Sequence, residues 1–114
     1  MARVSDVPSS ALPPRTAEIY EAYAESYGPF RNQVAVFAHV PPAVDHIMAL
    51  LMELKARQGV PWRYIELAIV TVSKFNECTY CVAHHAPKLA VEGITPDGIE
   101  RILDFEDHPE LDPV

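Results

Sequence analysis

The chain has 114 residues, 49% of them hydrophobic, and a formal net charge of −7. That length suits one domain with one modest core. Its nine basic residues are scattered, which argues against nucleic acid or an anionic membrane as partner, since both require a positive patch.

Residues 1–15 are rich in Pro, Ser and Ala and contain no apolar run of the kind a secretory leader needs. They read as a flexible or surface-draped arm, and the protein is expected to be cytoplasmic. No stretch approaches the roughly eighteen apolar residues of a membrane span. Residues 16–104 carry the helical pattern and form the expected domain. In 16–27, Ile19, Tyr23 and Tyr27 share one face and Glu18, Glu21 and Glu25 another, with Pro13-Pro14 before and Gly28-Pro29 after. Residues 30–40 fit either a strand (Val34 and Val36 alternate) or a helix (Phe30, Val34 and Phe37 share a face); a short helix is favoured. Pro41-Pro42 then open a long helix to about Gln58, with Gly59 as its stop. Its stripe is Val44, Ile47, Met48, Leu51 and Leu54. Leu50 and Met52 lie off that stripe, so the apolar surface is wide enough for subunit contact or for a deep core.

Pro61 fits the start of the next element, which runs to about Asn76. Its centre, 65–72, is apolar nearly all round apart from Glu66. β-branched residues there would allow a strand, but nothing else in the chain offers it a ladder partner. A buried helix is therefore expected. Asn76 can cap the following helix, with Glu77 in its first turn. That helix carries both cysteines and contains Pro87, where a kink is expected. Gly93 stops it. Thr95 and Pro96 then start another helix, and Ile94 can staple onto Ile99. Residues 105–114 read as a solvated acidic tail.

The chemistry concentrates in one segment. On a helix Cys78, Cys81 and His85 fall at i, i+3 and i+7, on one face, with His84 beside them. Cysteines at a helix N-terminus gain thiolate character. Two thiols at this spacing can attack a peroxide or disulfide and resolve the product. Glu66, alone in its apolar run, needs a partner, because an unpaired buried carboxylate is costly. A relay from Glu66 through His85 to Cys81 would provide one. Two other readings stay open at this point. The cysteines could form half of a zinc site completed by His39, His46 or His84, or they could be inert helix packing. Tyr20, Tyr23, Tyr27 and Trp62 read as core or interface residues.

Glu66, twelve residues to Cys78, then Cys81 and His85, in the setting Glu66-Leu-Ala-Ile-Val, Tyr80-Cys81-Val-Ala-His-His85 and Gly93-Ile-Thr-Pro, resembles the alkylhydroperoxidase D-like branch of the carboxymuconolactone decarboxylase family. Phe37-Ala-His-Val-Pro41 fits as well, so the resemblance spans roughly 20–103. It implies an all-α, compact fold of five to six helices and a homo-oligomer, trimer or hexamer. It also implies thiol-dependent reduction of organic hydroperoxides without a cofactor or metal, driven by a thiol or lipoyl-type reductant. Carried over, Cys81 would be the peroxidatic cysteine, Cys78 the resolving one, and Glu66 and His85 the relay. One position differs: Tyr80 stands where the best-known members carry a further histidine. The alternative within the family is the cofactor-free decarboxylase, a lyase that does not depend on a cysteine pair. The alternative outside enzymes is a zinc-stapled interaction module.

Overall fold

A computed structural model describes residues 3–111, and every regular element among them is helical. The chain divides after Gln58 into two compact units. In the first, α1 (Pro14–Ser26), a 3-10 turn (Gly28–Phe30), α2 (Arg31–Phe37) and α3 (residues 41–57) surround Tyr20, Tyr23, Phe30, Val34, Ala35, Ala38, Val44 and Met48. Pro14 occupies the first position of α1, where its missing N–H costs nothing. Thr16, Tyr20 and Tyr23 are the buried residues of α1, with Ile19 and Tyr27 half-buried. The inward face is thus turned slightly from the expected Ile19–Tyr23–Tyr27 line. The ambiguous segment is helical, as favoured. The Val7 N–H bonds Ala35 O at 3.2 Å, and His39 Nε2 bonds Ser5 O at 2.6 Å, so residues 5–7 lie against this unit.

α3 begins at Pro41–Ala43, passes through a π turn at Val44–Met48 and continues as Ala49–Arg57. A π turn holds one extra residue, so the inward face moves along the sequence by one position beyond it. Val44 and Met48 are buried, and Met52, not Leu51, packs next against the core. Lys55 Nζ then lies 4.3 Å from the centroid of the Tyr27 ring. Ile47, Leu50, Leu51 and Leu54 are left exposed. Ile47, Leu51 and Leu54, three of the five residues of the expected stripe, therefore lie outside this unit's core. Gln58, at φ 46°, makes the left-handed stop that Gly59 was expected to make.

The second unit holds α4 (Trp62–Phe75), α5 (Thr79–Val91) and α6 (Pro96–Glu100). Val70, Leu89, Ile94, Ile99 and Ile102 form its core, with Leu67, Ala86 and Leu111 against them. α4 is a helix, but it is not buried all round. Glu66, Val70 and Ser73 face inward, while Tyr64, Val72 and Phe75 are exposed. Both ends of α5 are set by left-handed stops. At Asn76, Glu77 (φ 54°) takes the left-handed position, the Glu77 N–H bonds Lys74 O at 3.0 Å and the Cys78 N–H bonds Ser73 O at 2.9 Å. At Glu92, Gly93 (φ 96°) does the same, with its N–H to Ala90 O at 3.1 Å and the Ile94 N–H to Leu89 O at 3.4 Å. These bond pairs satisfy the last carbonyls of a helix. Asn76 therefore closes α4 rather than capping α5, and Glu77 lies in the turn rather than in α5's first turn.

α6 starts as expected. Thr95 Oγ1 accepts the Gly98 N–H at 3.1 Å, and Pro96 takes the first position. After it the chain folds back. Phe105, Glu106 and Asp107 are exposed, but His108 is buried, donating from Nε2 to Gly98 O at 2.8 Å and accepting the Glu110 N–H on Nδ1 at 3.1 Å. The Glu110 carboxylate accepts the Thr95 N–H at 2.8 Å and also the Thr95 hydroxyl. Arg63 joins three segments by donating to Glu92 O at 2.8 Å and to Glu110 O at 3.1 Å.

Candidate functional site

The site forms because α4 and α5 are antiparallel neighbours joined by a turn of only three residues. The Glu77 stop returns the chain directly into α5, so that Cys78 is both the end of one turn and the N-cap of the next helix. Its Sγ accepts the Cys81 N–H at 3.3 Å. Cys78 and Cys81 are joined as a disulfide, with Cα atoms 5.3 Å apart, and both residues are half-buried.

One helical turn beyond Cys81, His85 meets α4. Its Nδ1 lies 2.7 Å from Glu66 Oε2. Glu66 is 0% exposed, whereas the His85 side chain keeps 18% of its surface. With Glu66 ionised, Nδ1 carries the proton and donates it to the carboxylate, which makes Nε2 the basic nitrogen of the ring. Glu66 Oε1 is buried with no hydrogen-bond partner. Hence the imidazole offsets only part of the cost of burying this acid.

His84 is oriented differently. Its Nδ1 bonds the Tyr80 carbonyl at 2.8 Å, and its ring lies against that of Tyr80 with centroids 4.2 Å apart. The four residues expected to act together, Glu66, Cys78, Cys81 and His85, are thus in one unit, and two direct links join them in pairs: the disulfide and the Glu66–His85 hydrogen bond. His39 and His46, the other zinc candidates, are exposed residues of the first unit. Among the described residues no group of three or more His, Cys, Asp and Glu is arranged to hold a metal ion. No helix among them is long and apolar enough to cross a membrane. Sequence reasoning missed the capping role of Cys78 and the left-handed Glu77. The chain carries no glycine at that stop to signal it.

The carboxymuconolactone decarboxylase family model matches residues 41–110. The chain belongs to that family. The match takes in α3 through the docked C-terminal segment and contains Glu66, Cys78, Cys81 and His85. No curated protein and no solved structure matches the chain significantly.

Proposed function

We propose that this family member is a thiol-dependent peroxidase of the alkylhydroperoxidase D-like kind, working in the cytoplasm on organic hydroperoxides. The observation that carries the reading is the buried Glu66 carboxylate bonded to an imidazole one turn from a cysteine that shares a disulfide. In this reading Glu66 orients His85, and Nε2 takes the thiol proton of Cys81. The Cys81 thiolate attacks the distal peroxide oxygen and the O–O bond breaks. The alkoxide leaves as alcohol, taking a proton, and Cys81 becomes a sulfenic acid. Cys78 then attacks that sulfur, and water leaves as the disulfide closes. A thiol or lipoyl-type reductant restores both thiols. The cysteine pair also argues against the decarboxylase alternative, whose turnover would not respond to thiol blocking.

The test is reduction of cumene hydroperoxide with dihydrolipoamide as reductant. Wild-type protein should turn over. Glu66→Gln keeps the shape but removes the anion that orients His85. Its rate should fall by roughly ten- to a thousandfold, the range for losing general-base assistance. An unchanged rate would remove Glu66 from the mechanism, and no turnover by wild type with any dithiol would refute the peroxidase reading.

The exposed apolar residues of α3, together with Val72 and Phe75 of α4 and Val91 of α5, support a homo-oligomer, proposed as a trimer or hexamer.

A further inference from the structure

We propose that a thiol reductant opening the Cys78–Cys81 disulfide attacks the sulfur of Cys81 and expels Cys78 as the leaving thiolate. This inference rests on the redox reading above and assigns the direction of its reductive half.

The two sulfurs occupy unlike places on α5. Cys78 is the N-cap, with φ −82° and ψ 89°, and its sulfur already accepts the Cys81 N–H at 3.3 Å. α5 is 13 residues long, enough to present a full positive end to a group at its cap. In a disulfide that sulfur is a weak acceptor. When the bond breaks with charge departing on Cys78, the same amide becomes a charge-assisted donor, and neither it nor the helix end has to move. Cys81 lies inside the first turn, and its own amide is the one that serves Cys78. Thiol–disulfide exchange is faster when the better-stabilised thiolate leaves. Glu77 is the acid next to Cys78 in sequence, but it is exposed, so water and salt weaken its opposition.

The exchange balances as follows. A reductant thiolate bonds to Cys81 Sγ, the Cys78–Cys81 bond breaks and its electron pair leaves on Cys78. A second thiolate of a dithiol reductant then attacks the reductant sulfur, freeing the Cys81 thiolate and closing the reductant's own disulfide. Two electrons have entered the protein, and the thiolates take protons from water or from His85. The reverse of the first step has Cys78 attacking a sulfur held on Cys81, which is the resolving role proposed above.

The experiment mixes oxidised wild-type protein with glutathione, quenches at once with excess N-ethylmaleimide and maps both cysteines by fragment-ion mass spectrometry. The expected species carries glutathione on Cys81 and maleimide on Cys78, in roughly severalfold excess over the reverse pattern, because the better-stabilised thiolate leaves faster. Glutathione mainly on Cys78 overturns the assignment and leaves the redox reading intact. A disulfide that yields no adduct and survives dithiothreitol overturns both. A second measurement uses thiolate absorbance in single-cysteine proteins. Cys81→Ser keeps the backbone N–H at position 81, so Cys78 in that variant should ionise at lower pH than Cys81 does in Cys78→Ser. The opposite order would also overturn the assignment.

Discussion

Glu66 has lost all contact with solvent and keeps a hydrogen bond on only one of its oxygens. Such a group is a weak source of stability, because its desolvation opposes its single bond. Replacing the pair together, as in Glu66→Leu with His85→Phe, should leave stability unchanged or raise it by about 1–4 kcal/mol, measured by urea denaturation, while peroxide turnover is lost. A marked destabilisation would show that the pair is structural. The two adjacent histidines give a sharper test. His85 bonds Glu66, whereas His84 bonds the Tyr80 carbonyl. His85→Ala should lower peroxide turnover by roughly ten- to a thousandfold, and His84→Ala by much less. Equal losses would contradict the assigned roles. Glu66 was legible in the sequence because a lone acid in an apolar run needs a partner. The orphaned Oε1 was not, since it depends on how α5 packs over α4.

The helices owe their placement to their stops. Two left-handed turns bracket α5, but only the second has a glycine. Glu77 holds φ 54° with a full side chain, in a region that costs an L-residue roughly 1–2 kcal/mol. Glu77→Gly should therefore raise stability by about 0.5–1 kcal/mol, after allowing for glycine's greater freedom when unfolded. At the other end, Gly93→Ala should cost about 1 kcal/mol or more, since φ 96° is strained for any side chain and an added Cβ would lie 3.4 Å from Arg63 Nη1. Thermal unfolding of the two variants should move in opposite directions, and shifts of the same sign would refute the account. The Gly93 stop was readable from sequence, whereas the Glu77 stop was not, because Asn76 suggested a cap two residues too early. The π turn in α3 was equally hidden. It moved the inward face from Leu51 to Met52 without altering the periodicity of the letters.

At the scale of the whole molecule, the docked C-terminal segment and the exposed apolar faces lead to separate predictions. Hydrogen bonds from Thr95, first through its hydroxyl and then its N–H, hold the Glu110 carboxyl below its ordinary value of 4.5. The folded-state pKa is thus the lower one, so the stabilisation is complete above about pH 4.5 and disappears as pH falls through the lowered value. Wild type should be more stable than Glu110→Gln near neutral pH, and the gap should close in acid. A gap independent of pH would mean the carboxylate charge is irrelevant. Separately, Phe75 is 80% exposed and Val91 85% exposed, and burying such side chains against a second copy would remove apolar surface from water. Light scattering at micromolar concentration should give a multiple of 12.7 kDa, and a monomeric mass would refute the oligomer.

The sequence by itself determined the helical class, the helix-starting prolines, the Thr95 cap and the spacing that puts Cys78, Cys81 and His85 within two turns of each other. Each of these follows from local rules of periodicity, spacing and backbone restriction that act within a few residues. The tertiary structure decided which oxygen of Glu66 meets which nitrogen of His85, that Cys78 caps α5 and that Glu77 turns the chain. It also decided that the acidic segment docks through His108 and Glu110 rather than staying wholly in solvent. These outcomes depend on groups brought together by the packing of α4, α5 and α6, and a buried polar atom is paired or orphaned only by what that packing places beside it.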